Sequence, residues 1–330
     1  MGPGDLRRIL GGLTPTRDRR VVLEAAHADD AGAVRLEGGR ALLHTVDVIT
    51  PIIDDPVGFG RIAAANAVSD IYAMGGQPTS AVSILALPRT LPAEPVREML
   101  TAARDLLAAC GAFLVGGHTV KDAELKLGFA ITGEVVTRRM CTHGGARPGD
   151  LLVLSKPLGT GLLYAASRAE RLDPGAKASW IASMAQTNRE SSENMQSLGV
   201  RCATDVTGFG LAGHAANLAR ASDVDLILEA SALPLLPGVR PELEGHPGPA
   251  GPAKVNLDGC ADDLKLGRTG PAVAALVCDP QTSGGLLFTL SPRKARRLET
   301  GTIVGEVRER KTRRPAVRVV GRLDGRGPDQ

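Results

Sequence analysis

The sequence predicts α/β and α+β units arranged in two halves, on three observations. Strand-like apolar runs alternate with helix-like patterns along both halves. Near residues 138–149 the composition turns polar and glycine-rich, and Arg147-Pro148-Gly149-Asp150 reads as a turn. With 330 residues, 43% of them apolar and 23% charged, the chain is long enough for two cores and too apolar for disorder. The expected domains are residues 1–138 and 139–330.

In the first half, residues 1–12 carry a short helical pattern of Leu6, Ile9 and Leu10. Strands are expected at 21–23 and 41–48, separated by the acidic turn Ala28-Asp29-Asp30-Ala31-Gly32. The stretch 54–78 reads as the helix around which the chain is organised. Asp55 caps it, Pro56 sits where a missing N–H costs nothing, and Gly75-Gly76 before Pro78 ends it. Ala63, Ala64, Ala65 and Ala67 let another backbone approach, and Asn66 and Asp70, four apart, share one face. That pair reads either as packing, with Asp70 capping a neighbouring loop, or as a metal or phosphate site. A strand is expected at 81–87, then an amphipathic helix at 92–110 with Val96, Met99, Leu100, Ala103, Leu106 and Leu107 on one stripe. A buried strand at 112–115 ends in Gly116-Gly117-His118-Thr119, which alone reads as a tight turn or an anion cradle. Another strand follows at 127–136.

In the second half, strands are expected at 151–154, 203–206, 224–228, 273–277 and 286–290. A long polar helix covers 176–197, and another helix carries Leu211, His214, Ala215 and Leu218. Residues 234–271, rich in Pro and Gly, read as a long surface loop. The chain closes with a helix and strands at 301–307 and 316–320. Lys156 reads as a solvated lysine or a phosphate contact. His118 and His214 read as general bases or structural histidines, the structural reading being favoured for His214.

Composition excludes several classes. The net charge is only +3, and the basic cluster at 308–314 reads as a solvated turn. Aromatic residues make up 2%, too few for base-stacking platforms, so no nucleic-acid partner is expected. The five cysteines are widely spaced with no Cys-x-x-Cys pair, which argues against a zinc site or a disulfide framework. No apolar run reaches the length of a membrane span and no signal peptide is present, so the expectation is a cytoplasmic protein with no membrane partner.

Acids at element ends carry the chemistry: Asp29 and Asp30 in a turn, Asp47 at a strand end, Asp70 on the central helix, and Asp205 before a glycine-rich turn. Singly, each reads as a turn cap. Together, carboxylates without His or Cys partners suit Mg²⁺, which bridges substrate phosphates and so implies a nucleotide. Neither a Walker motif nor a Rossmann fingerprint is present.

The stretches 54–78, 115–119, Asp205-Val206-Thr207-Gly208-Phe209-Gly210-Leu211-Ala212-Gly213-His214 and 279–287, with its Asp279-Pro280-Gln281-Thr282-Ser283-Gly284-Gly285, resemble the selenophosphate synthetase (selenide, water dikinase) family. The resemblance implies the two-domain aminoimidazole ribonucleotide synthetase-like fold. In that fold the N-terminal domain forms a barrel in a homodimer, and a C-terminal α+β domain packs outside it. By motif, Asp30, Asp70 and Asp205 match magnesium ligands. His27, Ala28, Asp29, Asp47, Asp70, Gly117, His118 and Thr119 match nucleotide-contacting positions. The implied reaction takes ATP, selenide and water to selenophosphate, AMP and phosphate, with Mg²⁺ and a monovalent cation. Two other readings stand beside it. A related superfamily kinase, such as thiamine-monophosphate kinase, would release ADP. An ATP-binding pseudoenzyme would bind without turnover.

The resemblance also implies an N-terminal Cys or selenocysteine followed three residues later by Lys, then a helix start like Gly2-Pro3-Gly4-Asp5-Leu6. Those two catalytic residues are expected upstream of Met1, with selenocysteine as the missing residue, because its UGA codon is read as a stop. The chain as given is then expected to bind ATP and Mg²⁺ but make little selenophosphate. A milder departure is Gly251-Pro252-Ala253-Lys254-Val255-Asn256, where the family has a Gly-Gly-Thr loop.

Overall fold

A computed structural model describes residues 9–10, 12–14, 16–246, 248–314 and 316–323. The helix expected over residues 1–12 lies largely outside them. Two sheets organise the rest. The first has six strands in the order β1-β2-β3-β6-β4-β5: β1 Val21–Leu23, β2 Gly32–Arg35, β3 Arg40–Ile49, β4 Gln77–Leu87, β5 Phe113–Lys121 and β6 Lys126–Val136. Only β4 and β5 run parallel, and helix α2 (Ala93–Ala109) makes the crossover that such a pair needs.

Period-2 alternation sets the two faces of this sheet. On β3, Ala41 and Leu43 are buried, whereas Val46 and Val48 are exposed. Thr45 and Asp47 therefore share the inner face with Leu43. Helix α1 (Pro56–Ala73) lies against that face and also touches β8 (Ala203–Asp205), α4 (Pro174–Ala185) and α5 (Arg189–Leu198) of the second half. Its ends form as their residues demand. The Asp55 carboxylate accepts from the Gly58 N–H at 2.6 Å, and Gly75 takes φ +69 just past the end. Almost the whole helix is buried, polar Asn66 and Ser69 included. At Gly60 a Cβ would fall 2.1 Å from the Met99 carbonyl oxygen, so only glycine lets α2 come this close.

The second sheet has seven strands in the order β10-β13-β9-β12-β7-β11-β8. Its members are β7 Leu151–Leu154, β8, β9 Val224–Glu229, β10 Leu264–Lys265, β11 Leu286–Leu290, β12 Thr302–Glu309 and β13 Val317–Val320. Helices α3 (Thr160–Arg168), α4, α5 and α6 (Gly210–Ser222) pack around it. Trp180 is fully buried and donates its indole N–H to the Thr160 carbonyl at 3.1 Å.

Several expectations are corrected. Residues 273–277 belong to a helix, α9 (Pro271–Val277), because a short apolar run fits a buried helix as well as a strand. The expected loop 234–271 contains α7 (Val239–Gly245), α8 (Pro252–Gly259) and β10. The single polar helix is two, α4 and α5, interrupted where buried Asn188 turns inward to bond the Ser69 hydroxyl and the Gly284 carbonyl. Gly116-Gly117-His118-Thr119 forms no turn, because β5 continues through it to Lys121. There a Cβ on Gly117 would fall 2.0 Å from Ser83 Oγ, so glycine serves strand packing. Lys156 is buried, not solvated. The five cysteines are free and buried.

Gly60→Ala tests the closest helix contact. Overpacking there should cost about 1–3 kcal/mol in urea denaturation. An unshifted unfolding midpoint would mean that α2 yields.

Candidate functional site

Five acids from distant segments meet in a cleft of about 340 Å³ between the two sheets. Asp29 and Asp30 come from the turn before β2, Asp47 from β3, Asp70 from α1 and Asp205 from the end of β8. Asp70 accepts a hydrogen bond from the Thr45 hydroxyl, its neighbour on the inner face of β3. Asn66, one turn earlier, donates to Asp47 Oδ2 at 2.7 Å and accepts from the Ser283 N–H at 2.8 Å. The amide thereby ties the first sheet to the 279–285 loop of the second half.

Asp29 and Asp30 are braced differently. Asp29 takes the Asp30 N–H on Oδ1 and the His143 N–H on Oδ2, both at 3.1 Å. Asp30 Oδ1 accepts from Thr204 Oγ1 at 2.7 Å and from the His143 ring at 3.0 Å. Asp30 Oδ2 and Asp205 Oδ2 are buried with no hydrogen-bond partner among the described residues.

Burial, followed by repulsion between these carboxylates, dominates the electrostatics. Burial and the nearby Asp30 push Asp205 up to about 8 and Asp47 up to about 6. Burial, then Asp205, Asp47 and Asp30, raises Asp70 well above the usual carboxylate range. Asp29 is also raised, by burial first. Burial opposes the charge on His143, but Asp30, Asp29 and Asp205 together outweigh it and hold the imidazole up at about 9. His214 goes the other way, down to about 4, through burial. It bonds the Thr207 N–H at 3.1 Å and sits 3.4 Å from Thr204 Oγ1, as its structural reading expects.

The donor set fits a hard divalent cation. Ligand atoms of Asp30 and Asp205 lie within 4.8 Å of each other, as do those of Asp29 and Asp30. Orphaned carboxylate oxygens buried among like charges are what a Mg²⁺ ion satisfies. A larger groove, about 620 Å³, crosses the outer face of the second sheet. Its acids are already engaged: Asp225 by the Ala316 N–H and Arg318, Glu306 by Arg308, and Glu229 by the Ser231 hydroxyl.

The structure brings Ala28, Asp29, Asp30, Asp47, Asp70 and Asp205 together along one cleft. His27 lies exposed beside it, accepting the Glu24 N–H at 3.1 Å. Gly117, His118 and Thr119 lie elsewhere, exposed on edge strand β5. Sequence reading does not single out His143, and it does not distinguish a caged Lys156 from a solvated one. His143 sits in the glycine-rich stretch taken as a boundary, and its only signal was a histidine amid Thr142 and Gly144. Lys156 donates to the carbonyls of Ser183, Gln186 and Ser283 at 3.2, 2.6 and 2.8 Å. Burial lowers its pKa to about 7, yet three carbonyl acceptors match the three N–H donors of an ammonium.

The chain is similar to known proteins along most of its length. The family model "AIR synthase related protein, N-terminal domain" matches residues 28–135, and that of the C-terminal domain matches residues 147–312. The chain is 42% identical over 302 residues to a selenide, water dikinase of Nitratidesulfovibrio vulgaris, covering 88% of this chain and 85% of that one. It is 41% identical to one from Geobacter sp. strain M21, covering 90% and 86%. Among solved structures, thiamine monophosphate kinase from Aquifex aeolicus superposes with a TM-score of 0.70 at 21% identity, covering 89% of this chain and 92% of that one; this likeness is one of fold.

The raised carboxylates predict a pH dependence. A folded-state pKa above the unfolded value means that the native state binds the proton more tightly. The stability from Asp205 is thus fully present below about pH 4 and lost as pH rises through about 8. Denaturation of the metal-free protein in chelator at pH 5 and pH 8 should show Asp205→Asn falling less with pH than wild type. Equal declines would disprove the assignment.

Proposed function

The chain belongs to the selenide, water dikinase family of AIR synthase related proteins, and from this we propose that its acid cluster clamps the phosphates of ATP through Mg²⁺. The reaction read from this family takes ATP, selenide and water to selenophosphate, AMP and phosphate. The observation that carries the site assignment is the pair of buried, unpartnered oxygens on Asp30 and Asp205. Asp30, Asp70 and Asp205 would hold the metal. The bound ion neutralises clustered phosphate charge so that a nucleophile can approach.

The chain's own residues do the positioning. Thr45 fixes Asp70, and Asn66 fixes Asp47 against the Ser283 backbone. Ala28, with φ +50, turns the chain so that Asp29 and Asp30 enter the cleft, with His27 on its rim. Residues of both sheets line the cleft, and the burial of Asp70 and Asp205 strengthens the electrostatic contacts they make there. A monovalent cation is part of the same reading.

Gly117, His118 and Thr119 need a different explanation. Strand β5 lies three strand spacings from β3, roughly 14 Å away, and does not line the cleft. They reach a nucleotide if a second copy supplies them. The outer face of the same sheet exposes Val46, Val48, Val82, Phe113 and Val115, with Phe113 and Val115 64% and 68% exposed. An apolar sheet face of this kind calls for a cover. A homodimer joined through it would both bury these side chains and complete the site. Among the described residues no helix is long and apolar enough to cross a membrane. We place the protein in the cytoplasm.

Two measurements test this reading. Calorimetry should show that Asp70→Ala abolishes Mg²⁺-dependent ATP binding while the circular dichroism spectrum stays unchanged; unaltered nucleotide affinity would remove Asp70 from the site. Sedimentation should show a dimer at micromolar concentration, converted to monomer by Phe113→Asp with Val115→Asp. A wild-type monomer would refute the shared site.

A further inference from the structure

We propose that His143, together with Thr204, is a positioning residue that orients the Asp30 carboxylate so that Oδ2 alone is presented as a metal ligand; this rests on the magnesium reading above. Two donors converge on a single oxygen. Thr204 Oγ1 lies 2.7 Å and His143 Nε2 3.0 Å from Asp30 Oδ1. The other oxygen, Oδ2, is buried and unpartnered. The side chains of Asp30 and His143 are each only 5% exposed, so water does not compete for these bonds.

The geometry is held from outside the acid cluster. The His143 carbonyl accepts from the Cys202 thiol and the Ser222 hydroxyl, each at 3.2 Å. Its neighbour Thr142 pairs with the chain entering β8, through Thr142 N to Arg201 O at 3.0 Å and Ala203 N to Thr142 O at 3.1 Å. The His143 N–H meanwhile bonds Asp29 Oδ2. The imidazole therefore clips the Asp29-Asp30 turn of the first half onto β8, the strand that carries Thr204 and Asp205. A carboxylate with both donors on one oxygen cannot rotate without breaking both bonds. Its free oxygen thus keeps a fixed direction in the absence of metal, and preorganised ligands bind more tightly than ligands that must be ordered.

The test titrates Mn²⁺, followed by electron paramagnetic resonance, and Mg²⁺, followed by calorimetry, into the full chain. Wild type is compared with His143→Ala and with His143→Gln, which restores an N–H donor at similar reach. The alanine variant should lose about 10–100-fold in metal affinity while its circular dichroism spectrum stays that of a folded protein, and glutamine should recover most of it. If His143→Ala does not fold, Thr204→Val removes the other donor to the same oxygen and carries the same expectation. Metal binding by wild type with equal binding by the folded donor-deleted variant overturns the positioning role and leaves the magnesium reading standing. A loss that glutamine does not recover assigns the effect to packing and likewise overturns it. A wild type that binds neither ion overturns both.

Discussion

Like charges confined between two sheets are the constraint on which this structure depends. A pair of carboxylates about 4 Å apart repels by roughly 4 kcal/mol even at an effective dielectric of 20. Here Asp47, Asp70 and Asp205 share one cleft with Asp30 close by, and burial first, then this repulsion, raises their affinities for protons. Such a cluster is tolerated only where surrounding groups hold it in place and a cation answers it. The buried oxygens left without partners on Asp30 and Asp205 mark where that answer belongs.

The bracing is distributed through the fold. Lys156 donates to the Ser283 carbonyl, the Ser283 N–H holds Asn66, and Asn66 holds Asp47. Ser283 itself sits at φ +48, a conformation that costs a non-glycine residue of order 1 kcal/mol or more. The loop keeps that conformation because the Ser283 N–H and C=O are both engaged, by a helix of the first half and a lysine of the second. Helix α1 is the common element. It is buried along nearly its whole length, so its polar side chains have no solvent to escape into and bond groups on neighbouring elements instead.

Much of the fold was legible because it rests on local rules. The Asp55-Pro56 start and Gly75 stop bounded α1, and β7 and β11 fell where their apolar runs lay, at Leu151–Leu154 and Leu286–Leu290. Asp29, Asp30, Asp47, Asp70 and Asp205 could be singled out because several carboxylates at element ends point to a hard ion, although no sequence rule showed that His143 partners Asp30. Local rules failed where two structures satisfy the same pattern. Residues 273–277 are as apolar as a buried strand yet form a helix, and the glycines at 116–117 suit a turn yet pack inside a strand.

The sequence by itself determined residue chemistry, element boundaries set by caps, and motifs long enough to resemble one family. Tertiary structure alone decided which groups meet. His143 lies more than a hundred residues from Asp30, and Lys156 a similar distance from Ser283, yet each pair is in hydrogen-bond contact. Neither partnership has a periodic or spacing signature, because the side chains come from segments that only sheet order and helix packing bring together. Nor can burial, which separates a solvated lysine from a caged ammonium, be read from the residue type, since it depends on everything that packs around it.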